Sequence, residues 1–330
     1  MKKRFGFLIS LVVLALLVYV LKDVDFVEAY GLLLRADLFY LILAVAALGG
    51  SFLVWNLRWK VSLRSVVDAD YFSLLRILMA GIFLNNITPG TGIGGEPLRA
   101  YYLKKKYGKS KSKFLGVILA DKSFNYAVYL LFLVLSLLFV FVFLDISLNL
   151  KIIFQSLLLI VFIVIVVFMY CRGKRRTDRV LSRIYRTGLF KGFRSKKVFR
   201  EYVRKRVSRL RKVFQKVILD RKTFSIGIAL SFVVWVLIFL SSWFLFLSFG
   251  ERVSFLAVVV VVTIGYLIGD LSPVPGGMGL MEGTMFLMYS SMGISSSLAV
   301  VVSLLSRIIY YFFSLIIGGL SLTWLRIGSK

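Results

Sequence analysis

Long apolar stretches alternate with short basic ones along this chain, and the apolar stretches have the length that crosses a bilayer. A transmembrane helix needs about 20 residues, and uncharged runs of that order occur at residues 5–21, 38–57, 123–144, 152–171 and 223–250. Two further hydrophobic regions are interrupted. Residues 77–98 contain Pro89 with Gly81, Gly90, Gly92, Gly94 and Gly95, and residues 254–292 carry glycine and proline breaks near 273–279. A last apolar region, 297–325, holds Arg307 as its one charge. The pattern predicts an all-α polytopic membrane protein.

Composition agrees: 59% of residues are apolar and 18% charged, against roughly 45–50% and about 25% in a soluble domain. The charge is one-sided, 43 Lys and Arg against 15 Asp and Glu, for a net +28. Basic residues cluster in segments 1–4, 58–76, 99–113 and 172–222 and at the C-terminus, while segment 22–37 is acidic. Cytoplasmic loops carry the excess of Lys and Arg, and one topology puts every basic block there. It has six full spans and cytoplasmic N- and C-termini. The two broken regions, 77–98 and 254–292, then enter and leave by the same face, as re-entrant hairpins pointing opposite ways. The expected organisation is one transmembrane domain in the cell membrane. Its first half is 1–171, its basic cytoplasmic loop 172–222 and its second half 223–330. Residues 5–21, after Met1–Arg4 and without a small-residue cleavage site, read as a retained signal anchor.

The loop has 21 basic and 3 acidic residues. Its apolar positions from Val198 to Ile218 follow helical spacing, the pattern of an amphipathic helix on an anionic leaflet. That leaflet accounts for the charge, so nucleic acid is not an expected partner. With no histidine, the commonest general base and metal ligand is missing. Cys171 stands alone, which excludes an intrachain disulfide and a thiolate metal cage; it reads as an ordinary buried thiol. No metal and no cofactor are expected.

The informative residues lie in the two breaks, NNITPGTGIGGEPLR at 85–99 and DLSPVPGGMGLMEG at 270–283. In each, a Pro-Gly pair precedes a glutamate seven residues after the proline, Pro89 to Glu96 and Pro275 to Glu282. Similar breaks in oppositely oriented hairpins are the mark of an inverted repeat with a site near the bilayer midplane. Residues 90–95 also satisfy G-x-G-x-x-G, but no strand precedes them and no βαβ unit follows, so a dinucleotide is not implied. Pro97 suits the first turn of a new helix, whose N-terminus offers N–H groups to an anion. Arg99, one turn in, adds a cation that either joins such a site or snorkels to the headgroups. Glu96 and Glu282 are costly against lipid and belong inside the protein, where Arg307 is the natural partner for one of them. The alternative is structural: glycines for close helix packing and Glu–Arg pairs for register. Asn85, Asn86, Asn125 and Asp270 read as helix–helix hydrogen bonds, Tyr310 and Tyr311 as packing.

Three stretches, GIGGEPLRAYYL (92–103), SPVPGGMGLMEG (272–283) and SRIIYYFFSLIIGGL (306–320), resemble the flippase-like transmembrane region of lysylphosphatidylglycerol synthases. The resemblance runs from about residue 5 to 325. It implies that Glu96, Arg99, Glu282 and Arg307 are motif positions. It also implies that Asp121-Lys122 replaces an acidic-Arg pair opening the helix after the first motif, and lysine lacks arginine's bidentate grip. The soluble synthase and glycosyltransferase domains of some relatives are not expected here, so lysyl transfer is not.

The function expected is binding and translocation, or assisted translocation, of an anionic phospholipid or a polyprenyl-phosphate-linked lipid, without catalysis. The candidate residues are Gly92, Gly94, Gly95, Glu96, Arg99, Lys122, Pro275, Gly276, Gly277, Gly279, Glu282 and Arg307. A scaffold recruiting a separate lipid-modifying or glycosyltransferase enzyme is the alternative, and a membrane enzyme acting on a lipid phosphate a third reading.

Overall fold

Acidic residues are scarce in this chain, and several of them start helices. In a computed structural model that describes residues 25–88, 94–143, 196–272 and 274–327, Asp25, Asp37, Asp70 and Asp220 are each an N-cap. Their carboxylates accept the first free N–H groups of the helices that follow, where the helix dipole also favours negative charge. The helices are α1 (Phe26–Leu34), α2 (Leu38–Leu63), α3 (Tyr71–Ile87), α4 (Gly95–Tyr107), α5 (Lys111–Phe143), α6 (Lys196–Leu219), α7 (Arg221–Ser248), α8 (Phe255–Leu271), α9 (Leu280–Ser291), α10 (Ser296–Tyr311) and α11 (Gly318–Ile327). A 3₁₀ turn, Pro275–Gly277, separates α8 from α9, and a π-helical turn, Phe312–Ile317, joins α10 to α11. There is no strand among the described residues.

Among the described residues, four helical segments are long and apolar enough to cross a membrane: α2, most of α5, α7 and the α10–α11 rod. They coincide with four of the six expected spans. The other two, 5–21 and 152–171, lie outside the described residues, as do Gly92 and the rest of 89–93, Cys171, residues 172–195 and Pro273. Large apolar side chains such as Leu131, Leu135, Leu138 and Phe141 on α5 face outward and are about half exposed. Such a surface belongs against hydrocarbon, and the protein is a multi-pass membrane protein.

The frame is the seam between α2 and α7. The Asp37 N–H donates to the Ser248 carbonyl, the Ser241 hydroxyl to the Ala44 carbonyl, and Arg58 Nη1 to the Ser231 hydroxyl. Residue numbers rise on one helix as they fall on the other, so the two are antiparallel. Each is followed by a helical hairpin. In the first, Gly81 and Asn85 of α3 face Gly95 of α4, and Ser73 faces Lys106. In the second, Gly265 and Gly269 of α8 face Met285 and Met281 of α9. Because the long helices run oppositely, the hairpins start from opposite ends of the bundle. Their tips meet in its middle, where Gly276 lies beside Asn86. A long helix then closes each half, α5 in the first and α10–α11 in the second. The order long helix, hairpin, long helix thus occurs twice in opposite senses, which is the inverted repeat expected from the two breaks.

The first hairpin is longer than expected. Its arms reach from Tyr71 to Tyr107, so much of 58–76 and 99–113 is helix rather than loop. Asp121-Lys122 does not open a helix: α5 begins at Lys111, and the pair sits about 15 Å along it.

In α6 the expected amphipathic helix is present, but its apolar stripe has a protein partner. Val213, Phe214, Val217 and Ile218 pack into the core. Gly116 of α5 meets Leu210 and Val213 of α6, and Phe124 further along α5 meets Phe224 and Gly227 of α7. Residue numbers now rise together, so α6 runs parallel to α5, with Asp220 between it and α7. The C-terminal half of α6 is therefore part of the bundle rather than laid on a membrane surface. Its preceding turns expose Arg204, Lys205, Arg206, Arg209, Tyr202 and Val207.

Candidate functional site

Backbone packing builds the first tip. Gly95 lies against the Gly81 carbonyl with no room for a side chain, which draws the start of α4 onto α3. There the Gly95 N–H donates to Asn85 Oδ1 at 2.6 Å, and Asn85 Nδ2 donates to Glu96 Oε1 at 3.5 Å. Glu96, in the first turn of α4, pairs with Lys122 of α5 at 2.6 Å. Its other oxygen, Oε2, is buried without a hydrogen-bond partner among the described residues.

Backbone conformation builds the second tip. Gly276, Gly277 and Gly279 all have positive φ, a region open to glycine and strained for side-chain residues. The chain turns there within a few residues and starts α9. Glu282 in the first turn of α9 accepts the Gly279 N–H at 2.7 Å and pairs with Arg307 Nε of α10 at 3.1 Å. Arg307 Nη2 donates to the Gly276 carbonyl at 2.6 Å and to the Tyr311 hydroxyl at 2.8 Å. Both glutamates thus occupy the positive end of a hairpin helix, and both pair with a cation on the following long helix.

Between the tips lies a cavity of about 210 Å³. Glu96, Lys122, Gly276 and Arg307 line it together with Trp55 and Tyr126. Asn86 Nδ2 donates to the Tyr310 hydroxyl at 3.2 Å, tying the first hairpin to the second half. Gly94, Gly95, Pro275, Gly277, Gly279 and Glu282 shape the tips without lining the cavity, and Gly92 lies outside the described residues. Asp270 is also on the lining.

Arg99 is neither on the cavity wall nor at the headgroups. It is 1% exposed, its guanidinium 5.2 Å from the Trp55 ring centre and 5.5 Å from that of Trp59. Its side chain crosses the face of Gly81. Cation–π attraction of this kind strengthens where water is excluded, and here it clamps the first hairpin to α2.

One buried pair was not anticipated from the sequence. Arg58 of α2 and Asp121 of α5 are bridged at 2.9 Å, 1% and 2% exposed. Arg58 also donates to Asn125 Oδ1 and Ser231 Oγ, and Trp55 Nε1 to Asp121. The usable signal is position: Arg58 directly follows the uncharged run 38–57, still within α2.

Arg58 also lines the cavity, and its three cations among the described residues, Arg58, Lys122 and Arg307, are all paired, but unequally. Lys122 is 24% exposed and Arg307 6%. A lone ammonium–carboxylate contact exchanges partners more readily than a guanidinium held in several hydrogen bonds. An anion entering the cavity would meet Lys122 as its most available charge.

The sequence model of the family described as "Lysylphosphatidylglycerol synthase TM region" matches residues 5–318. Among curated proteins, a "UPF0104 membrane protein" of Pyrococcus horikoshii is 25% identical over 294 residues, 88% of each chain. Two proteins of the same name from Methanothermobacter thermautotrophicus are similar as well. One is 27% identical over 92% of this chain and 89% of its own length, the other 28% identical over 89% and 87%.

Proposed function

The chain belongs to the lysylphosphatidylglycerol synthase TM-region family, and from that premise we propose that it binds an anionic phospholipid or polyprenyl-phosphate-linked lipid and translocates it, or assists its translocation. The observation that carries this reading is the meeting of two inverted hairpin tips at a cavity to which each half contributes a cation, Lys122 and Arg307. Sites for transported solutes form at broken helices between inverted repeats. At about 210 Å³ the cavity is smaller than the roughly 300–1,000 Å³ pockets that enclose whole drug-sized ligands. It suits a phosphate-bearing headgroup whose chains remain in the bilayer.

In this reading the headgroup phosphate takes Lys122 from Glu96, and Arg307 alternates between Glu282 and the substrate as one hairpin and then the other moves aside. The basic end of the bundle faces the cytoplasm of the cell membrane. The residues bind and release; no bond in the lipid is made or broken. The test is transfer of head-labelled phosphatidylglycerol between leaflets of proteoliposomes. Lys122→Met and Arg307→Met should each slow it at least about tenfold, a loss of one charge-assisted contact, with folding checked by thermal melting. Wild-type rates in both variants would sink the proposal.

A second reading has its own support. The exposed cationic turns of α6 offer a docking face for an acidic partner, as a scaffold for a separate lipid-modifying enzyme requires. Pull-down of such an enzyme, lost on reversing the charges at Arg204, Arg206 and Arg209, would favour it.

A further inference from the structure

A second cleft, of about 420 Å³, lies away from the central cavity at the basic end of the bundle, where the outer ends of α3 and α4 meet α11. Its floor is apolar: Ile77 and Tyr102 are buried at 1% and 9% exposure, and Leu325 completes it. Its rim is cationic, with Arg76 from α3 and Lys105 and Lys106 from α4. The Arg76 guanidinium lies over the Trp324 ring, 3.7 Å from its centre, and Lys106 donates to the Ser73 hydroxyl. Among the described residues no carboxylate lines the cleft. The acid nearest in sequence, Asp70, is engaged as the N-cap of α3, accepting the Ser73 N–H at 2.8 Å.

Trp324 stands three residues before the end of the last span, the depth at which tryptophan and the heads of long cationic side chains gather at the membrane–water boundary. A cationic rim above an apolar floor at that depth is complementary to one kind of occupant, a phosphodiester carrying acyl chains. A free phosphate would leave the floor unused. We propose that this cleft binds the headgroup of an anionic phospholipid from the leaflet at the basic end, with the phosphate between Arg76 and Lys106 and the chains descending past Ile77, Tyr102 and Leu325. The bound lipid bridges both arms of the first hairpin and the last helix, holding the base of the hairpin while its tip stays free. This site shares no lining residue with the central cavity, and it stands whether or not that cavity carries lipid across the membrane.

The experiment uses the purified full chain in neutral detergent. Its melting temperature is followed against dioctanoyl phosphatidylglycerol, dioctanoyl phosphatidylcholine and glycerol 3-phosphate. Phosphatidylglycerol should raise the melting temperature saturably and the other two should not. Arg76→Ala with Lys106→Ala should weaken the apparent affinity about tenfold or more, the scale of a lost charge-assisted contact. Lys106→Gln alone, at an exposed position, should show a smaller loss in the same direction without disturbing packing. Arg64→Ala, which removes an exposed cation that lines neither cleft nor cavity, should leave the affinity unchanged. Equal stabilisation by phosphatidylcholine, equal affinity for glycerol 3-phosphate, unaltered binding by the Arg76/Lys106 and Lys106 variants, or loss of binding in Arg64→Ala would each overturn the proposal.

Discussion

Gly95 presses its α-carbon against the carbonyl oxygen of Gly81, so closely that a methyl group at Gly95 would overlap that oxygen. The contact is backbone on backbone, and no side chain can swing away to relieve it. Gly95→Ala is therefore expected to destabilise the protein by about 1–3 kcal/mol, the usual cost of overpacking, and to open the first hairpin. Gly31→Ala in α1 is the control. Nothing lies within 4 Å of a methyl group there, and alanine is favoured over glycine in a helix by about 1 kcal/mol. Thermal melting of the two variants should move in opposite directions.

The Arg58–Asp121 pair should behave as a sealed unit. Removing one partner leaves a buried charge uncompensated, at a cost of about 3–5 kcal/mol. Arg58→Met and Asp121→Leu are each expected to lower the melting temperature sharply. The double variant should recover much of the loss, since two apolar groups of similar volume leave no unpaired charge. A double-mutant cycle measured by thermal unfolding reads the coupling directly, and additive losses would show that the two residues act separately.

Glu96 with Lys122 and Glu282 with Arg307 are equivalent pairs, 26 and 25 residues apart in sequence, but their cations have different duties. Lys122 is held by its contact with the Glu96 carboxylate, whereas Arg307 also fixes the Gly276 carbonyl and the Tyr311 hydroxyl. Lys122→Arg should keep both stability and lipid transfer. Arg307→Lys cannot reproduce the fork of hydrogen bonds and should lose about 1–3 kcal/mol of stability together with transfer. Comparing melting temperature and transfer rate in this pair of variants checks the asymmetry.

Acid should weaken the helix starts at the basic end. The Asp70 carboxylate is held below its ordinary value of 3.8 chiefly by the Ser73 backbone N–H, then by the Ser73 hydroxyl. Asp220 is lowered from the same value chiefly by the Thr223 hydroxyl, then by its backbone N–H. A carboxylate whose folded pKa is depressed stabilises the fold fully above its unfolded pKa and loses that contribution as the pH falls through the folded value. The melting temperature should therefore fall from about pH 4 downward. In the Asp70→Asn, Asp220→Asn double variant it should start lower at neutral pH and approach wild type in acid.

The sequence carried the architecture because the bilayer imposes it: spans need length, cations stay on one side, and a break in mid-membrane needs glycine or proline. That Arg307 pairs with one of the two glutamates followed from the scarcity of charge in the second half; that the partner is Glu282 did not. Arg58 and Asp121 were hidden for two reasons. Arg58 abuts a basic segment and counts as interfacial, and Asp121 cancels its neighbour Lys122 on paper. Adjacent residues on a helix point about 100° apart, so the two serve different partners, Arg58 and Glu96. Likewise the pattern of α6 shows that an apolar stripe is covered, but not whether lipid or α5 covers it. Arg99 illustrates the same limit: a cation near a helix start looks available to an anion until Trp55 and Trp59 are seen around it.

The π turn at Phe312–Ile317 leaves surplus chain in the last long helix. The bonds made before it, Arg307 to Glu282 and Gly276, belong to the second hairpin; the contacts after it, Gly318 and Gly319 against Met79 and Phe83, belong to the first. The turn acts as a phase shifter, rotating the far end of a single rod so that one helix presents a face to each hairpin. Alignment between the two halves is thereby written in chain length, counted residue by residue, and a single deletion within 312–317 would turn Gly318 away from Met79 without altering any side chain at the cavity.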